Sequence, residues 1–248
     1  MPPAAAPAPG PREAAAIEAA IRAAGTPERA VSEQAYLKIG LEFTGTAVPA
    51  ARAIIQSWRR DHPGVTRDLL TGVAAALWSR PVFDCRMAAV LLLADQRALL
   101  TAADVPLLER LLRDSGTWAL VDSMAADVMG SLVERYPELA GTLDRWALDP
   151  DFWLRRSAML ALLVPLRRGA GDFERFGRYA DQMLDEREFF IRKAIGWVLR
   201  ETAKQRPALV AAWLEPRITR LSGVTLREAV KPLPEPTRAA LLALRQAG

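Results

Sequence analysis

The side chains of this sequence that carry chemistry are few, and their spacing singles them out. Aromatic residues recur at Phe83, Trp118, Trp153 and Phe190, with successive spacings of 35, 35 and 37 residues. Three positions after each stand Arg86, Val121, Arg156 and Lys193; five after stand Ala88, Ser123, Ala158 and Ile195. The departures from this pattern mark a candidate site. In the second repeat the base is lost to Val121, and Asp122 follows where the others carry Met87, Ser157 and Ala194. Trp118 and Asp122 are thus i and i+4 on one helical face. In the last repeat Trp197 replaces the small or aliphatic residue found at Val90, Ala125 and Leu160. An acid and two tryptophans at off-pattern places among repeated bases make the candidate. A plainer reading stays open, in which Trp118 is core and Asp122 is the buried partner of an arginine.

The rest of the composition excludes other chemistries. One cysteine, Cys85, leaves no disulfide framework and no cysteine-based zinc cluster. One histidine, His62, excludes a multi-histidine metal site and argues against a histidine triad. In the polar turn RRDHPG it reads as a solvated loop residue. Cys85 reads as a small core side chain. Trp58, Trp78, Trp146 and Trp213 lie on apolar helical faces and read as packing, and the stretch EPRITR (215–220) as an exposed helix face. No apolar run approaches a membrane span, the longest being Met87 to Ala94.

The elements that must hold these residues are helical. The 248 residues are 51% hydrophobic and 25% charged, with few glycines and few β-branched residues, which argues against sandwiches and barrels. Helical periodicity predicts helices over 13–24, closed by Gly25, and 28–43. Further ones are expected near 50–61, 66–79, 81–94, 104–114, 117–136, 139–147, 151–167, 172–184, 187–205, 207–221 and 236–246. Pro63, Pro81, Pro106, Pro137, Pro150 and Pro207 fall at the junctions, where they start or stop helices. Self-similarity near 35 residues is the mark of HEAT-like helical pairs, so the expected fold is an all-α solenoid with a concave basic groove. The first eleven residues hold five of the 18 prolines and no basic n-region. Residues 1–12 are therefore expected to be a disordered Pro/Ala-rich leader, with 13–248 a single repeat domain. A net charge of +4 and a pI near 9.6 permit a nucleic-acid partner without requiring one.

Longer strings carry a resemblance. TWALVDSMA (117–125), FWLRRSAMLALL (152–163) and REFFIRKAIGWVLRETAKQRP (187–207) resemble the AlkD-type DNA alkylation repair glycosylases, which are built from HEAT-like repeats. YLKIGLEFTGTAVPAAR (36–52) is similar to that family's opening segment and LREAVKPL (226–233) to its close. The FTGT segment, with Thr46 and Ala47 before Val48-Pro49, varies from the usual pattern. The resemblance spans roughly 28–233. It implies an excision site of Trp118, Asp122 and Trp197, with Arg156 on the DNA backbone and Arg155, Arg192 and Lys193 near it in the repeat frame.

The implied activity is hydrolysis of the N-glycosidic bond of purines alkylated at N3 or N7 in duplex DNA. Such bases are cationic and already good leaving groups, so no general acid is needed. Asp122 would stabilise an oxocarbenium-like sugar and orient water, and the tryptophans would pack against sugar and backbone. The resemblance implies no cofactor, no metal and no membrane, with duplex DNA as the partner of a monomer. A reduced, cytoplasmic location, on the nucleoid when bound to DNA, is expected. Two rivals remain: a protein-binding scaffold, and a non-catalytic relative that recognises distorted or branched DNA.

Overall fold

The computed structural model describes residues 10–247, so residues 1–9 of the expected leader lie outside the described residues. The chain forms two compact units, one running to Met124 and the other beginning at Ala125. The first unit contains α1 (Pro11–Ala24), α2 (Pro27–Leu37), α3 (Val48–Asp61), α4 (Arg67–Trp78), α5 (Phe83–Asp95), α6 (Val105–Arg113) and α7 (Trp118–Ser123). The second contains α8 (Gly130–Arg135), α9 (Ala140–Trp146), α10 (Phe152–Leu160), α11 (Leu163–Arg167), α12 (Phe173–Met183), α13 (Phe189–Ala203), α14 (Pro207–Leu214), α15 (Gly223–Ala229) and α16 (Glu235–Ala247). Among the described residues there is no strand, only an isolated bridge between Glu42 and Val82. The fold is all-α, a succession of HEAT-like helical repeats.

Local chemistry starts the helices that matter. Asp151 accepts from Trp153 N at 2.8 Å, Asp172 from Arg175 N at 2.8 Å and Ser222 from Thr225 N at 3.1 Å, so α10, α12 and α15 open on capped turns. The repeated aromatics also fall at helix openings. Phe83 and Trp118 are the first residues of α5 and α7, and Trp153 and Phe190 the second residues of α10 and α13. The rings of Trp153 and Phe190 pack 5.1 Å apart, column against column.

Polar pairs repeat with the same period. In the first unit Arg67 grips buried Asp104 through two bonds of 2.8 and 2.7 Å, 37 residues away, and Trp78 donates to Asp114, 36 away. In the second, Tyr179 donates to Asp144 across 35 residues and Arg217 grips Asp181 across 36. The EPRITR stretch is thus tied down at Arg217 and follows a 3-10 turn, Glu215–Arg217, rather than a continued helix. Pro216 has no N–H to extend α14.

Other boundaries also differ from the periodicity. The helix expected over 28–43 ends at Leu37, where Lys38 takes a left-handed φ of 53°. The segment beyond is pinned elsewhere: Phe43 stacks on Phe83 at 4.9 Å, and buried Asp84 accepts from Thr44 N at 2.7 Å and Thr46 N at 2.9 Å. Gly45 makes the bend, with φ 76° and a position where a Cβ would lie 2.1 Å from the Thr26 carbonyl oxygen. The span 151–167 divides at Ala161–Leu162 into α10 and α11, with Pro165 unable to donate back into α10. Helix α15 escaped the periodicity altogether, being a seven-residue element started by its Ser222 cap. The first helix begins at Pro11, two residues before the expected start.

The Asp84 clamp is testable. Asp84→Ala strips two backbone N–H groups of a charged acceptor and should destabilise the chain by about 2–4 kcal/mol in urea denaturation. A loss below about 0.5 kcal/mol would show that the loop holds itself.

Candidate active site

Trp118 opens α7 after Thr117, whose side chain accepts from Ala119 N at 3.4 Å. Asp122 stands one turn on, on the same face of the same helix. Both are half-buried. Beside Trp118 lies a cleft of about 340 Å³ lined by Tyr36, Leu37, Val48, Phe83 and Met87. Tyr36 meets the Trp118 ring edge-on, with centroids 6.4 Å apart and planes at 87°. It is 71% exposed although it is a large aromatic, and sequence reasoning missed it. The signal was available, because Tyr36 is the first residue of the YLKIG string. The Asp84 clamp and the Phe43–Phe83 stack fix the segment that follows α2, and so help to set where Tyr36 stands.

Directly after α7 the backbone adopts a π-helical turn, Met124–Met129, before α8 resumes the α-helix. The sequence pattern predicts one unbroken helix over 117–136. A π turn accommodates an extra residue, so the registers before and after it are independent, and such turns concentrate at functional sites. Nothing in the apolar periodicity announces it.

The second unit holds the other expected residues. Trp197 is half-buried on α13, and Lys193, Arg200 and Lys204 share its face at spacings of four, three and seven. Two carboxylates organise these cations. Glu228 of α15 accepts from Lys193 and Arg200, and Glu201 from Arg200, Lys204 and Arg167. Hydrogen bonds from Lys193 and Lys231, with the charge of Arg200 behind them, hold the Glu228 carboxyl down at about 2. Burial pushes Glu201 up, yet its bonds to Lys204 and Arg200 and the charge of Arg167 outweigh that and leave it lowered.

The arginines expected on phosphates differ in their commitments. Arg156 is 3% exposed and donates Nη1 to the Phe190 carbonyl at 2.5 Å, tying α10 to the first turn of α13. Arg155 grips Glu186 through two bonds of 2.9 Å and also donates to the carbonyls of Asp149 and Pro150. Arg192 donates Nε to the Glu186 carbonyl at 2.6 Å. The structure therefore gathers Arg156, Arg192, Lys193 and Trp197 around α13, while it turns Arg155 to the α12–α13 connection. In the first unit Arg86, of the same column, pairs with Asp114 and lies over the Trp78 ring.

The chain's seven tryptophans sort themselves by exposure. Trp58, Trp78, Trp146, Trp153 and Trp213 are buried, none more than 8% exposed, whereas Trp118 and Trp197 are not. His62 is more tied than a loop residue: it ends α3, its Nδ1 lies 2.7 Å from the Trp58 carbonyl, and its ring stacks on Trp58. Cys85 is fully buried, and burial pushes its thiol up to about 12, which makes it inert packing. Among the described residues no group of three or more His, Cys, Asp or Glu is placed to hold a metal ion. No described helix is long and apolar enough to cross a membrane.

Comparison with protein families matches residues 17–233 to the family described as DNA alkylation repair enzyme. Among solved structures, one described as "Predicted DNA alkylation repair enzyme from Enterococcus faecalis" is 23% identical, with a TM-score of 0.76 over 85% of this chain and 97% of that one. AlkD2 from Streptococcus mutans is 16% identical, with a TM-score of 0.57 over 75% of this chain and 90% of its own. A second Streptococcus mutans structure, smu.31 from strain UA159, is also 16% identical, with a TM-score of 0.56 over 75% and 93%. No curated protein matches. At these identities the structures show the fold they share with this chain.

Arg155 and Lys193 separate a staple from a surface cation. Arg155→Ala should lower the melting temperature by several degrees, through loss of a bidentate pair and two carbonyl contacts. It should leave the salt dependence of duplex DNA binding unchanged. Lys193→Ala should reduce the slope of log affinity against log salt by about one, with a smaller loss of stability because Arg200 and Lys231 still pair Glu228. A reduced slope for Arg155→Ala would return that residue to the phosphate contacts.

Proposed function

The chain belongs to the DNA alkylation repair enzyme family, and on that footing we propose that it is a DNA glycosylase that excises purines alkylated at N3 or N7 from duplex DNA. The observation that carries the reading is the pair of half-buried tryptophans, Trp118 and Trp197, set apart from five buried ones, with Asp122 one turn from Trp118. A solenoid that served only as a scaffold has no need to leave two indoles at its surface, one of them beside a carboxylate.

The chemistry suits residues of this kind. An alkylated purine is a cation, and the C1′–N bond breaks with its electron pair passing to the base, which leaves neutral. Positive charge then develops on the deoxyribose. The Asp122 carboxylate stabilises that charge, and a carboxylate held in place needs no reorganisation as the charge appears. Water adds its oxygen to C1′ and gives up a proton, leaving an abasic sugar and a free base. The face of an indole attracts positive charge by about 0.5–2 kcal/mol, which is the role assigned to Trp118 and Trp197. Tyr36, edge-on to Trp118, adds a second ring beside it. The cationic base needs no proton from the enzyme, which is consistent with a chain whose one histidine caps α3.

Backbone phosphates are assigned to Arg192 and Lys193, and to Arg156 once its side chain turns out from its sealed place against the Phe190 carbonyl; such contacts set register without reading sequence. Arg155 is assigned to holding the α12–α13 connection. Duplex DNA is the partner, and a single chain supplies every residue named.

The variant Asp122→Asn keeps the shape and removes the charge. Affinity for methylated duplex should persist or rise slightly while single-turnover excision falls roughly 10²–10³-fold, as on loss of one preorganised electrostatic group. An excision rate within about three-fold of the parent would remove Asp122 from the mechanism.

A further inference from the structure

The cations that flank Trp197 share one anchor. Lys193 Nζ donates to Glu228 Oε1 at 2.7 Å and Lys231 Nζ to the same oxygen at 2.9 Å, while Arg200 Nη1 donates to Oε2. Lys193 precedes Trp197 by one turn of α13 and Arg200 follows it by nearly one. Glu228 itself is 7% exposed, whereas the side chains of Lys193 and Lys231 are 40% and 57% exposed. One inward carboxylate thus holds three cations whose charged ends border solvent; Arg200 is shared with Glu201, and cations still outnumber carboxylates.

The backbone is built to bring Glu228 there. A Cβ on Gly196 would lie 2.8 Å from Glu228 Cβ and 3.0 Å from the Thr225 carbonyl oxygen, so only glycine lets α15 approach α13 this closely. Thr225 Oγ1 then donates to the Arg192 carbonyl at 3.0 Å and fixes α15 along α13. A purely structural ion pair needs one cation to neutralise one carboxylate. Three, two of them lysines on flexible stems, are more than neutrality requires. Each long cationic side chain loses rotamer entropy when it is fixed. Fixing it in advance on Glu228 removes that loss from the step that binds phosphate.

Resting on the glycosylase reading for its ligand, we propose that Glu228 is a positioning residue: it gathers Lys193, Arg200 and Lys231 into one cluster beside Trp197 that receives the DNA phosphates flanking the damaged nucleotide. The cluster adds Arg200 and Lys231 to the phosphate contacts and explains why α15 must follow α13 so closely.

The test uses the full chain with methylated and unmodified duplexes of one sequence. Binding is followed by fluorescence anisotropy across a salt series, and excision by single-turnover rates corrected for folded protein. Lys231→Ala, at an exposed position, should reduce the slope of log affinity against log salt by about one on both duplexes. Glu228→Gln keeps every cation and loses their anchor, so the slope should stay while excision falls by about ten-fold, with Glu228→Asp recovering most of it. An unchanged slope for Lys231→Ala overturns the proposal. So does a Glu228→Gln variant that melts earlier yet excises at the parent rate per folded molecule. A parent chain that binds duplex but releases no base defeats the glycosylase reading alone, and the Lys231 slope still decides the cluster. A parent that binds no duplex defeats both.

Discussion

Carboxylates that must find a cation or a hydroxyl one repeat away set the spacing of this chain. Asp104 is buried and gripped by Arg67 from 37 residues back, Glu228 is met by Lys193 from 35, and Asp181 by Arg217 from 36 ahead. Removing the cation leaves a carboxylate such as Asp104 or Glu228, itself buried, without compensation. Successive helical pairs must therefore keep nearly the same length, or these groups miss one another. The aromatic column obeys the same rule, with Trp153 packed at a tilt against Phe190 one repeat on. Apolar packing by itself is tolerant of sliding; the polar pairs are not, and they lock the register in which functional side chains are presented.

That register explains where the proposed site residues stand. The column aromatic sits at the opening of each helix of the series, so the position three or four further on falls one turn inside. At that turn Arg86 and Arg156 are drawn into contacts between helices. Val121 at the equivalent place makes no such tie, and Asp122 follows it on a turn that is half-buried instead of sealed. At Trp197 the series carries a large, half-buried ring where Val90, Ala125 and Leu160 are fully buried. The site residues are departures from the repeat, on helices held rigid by the residues that conform to it.

Much of this was legible in the sequence. The period of 35 to 37 residues reported both the aromatic column and the separation of the polar pairs, and the chain is all-α as the periodicity predicts. The buried state of Trp58, Trp78, Trp146 and Trp213 follows from their apolar faces. What was not legible depends on contacts that periodicity ignores. The helix expected over 28–43 stops at Leu37 because Asp84, 40 residues from Thr44, claims its backbone for a loop. Tyr36 gains a role only through Trp118, which is distant in sequence. The π turn after α7 leaves no trace in an apolar pattern that reads as helix throughout. Arg155 looks like its neighbour Arg156 in the string FWLRRS, and only the position of Glu186 shows that it is held in a two-bond ion pair.

The central claim is that this chain breaks the bond between an alkylated purine and its sugar. Methylated duplex DNA incubated with the purified protein, followed by separation of released bases from the polymer, tests it directly. The account predicts free 7-methylguanine or 3-methyladenine in the soluble fraction and, in equal number, abasic sites in otherwise unbroken strands. Retention of every methylated purine in the polymer, with DNA still bound, would contradict it.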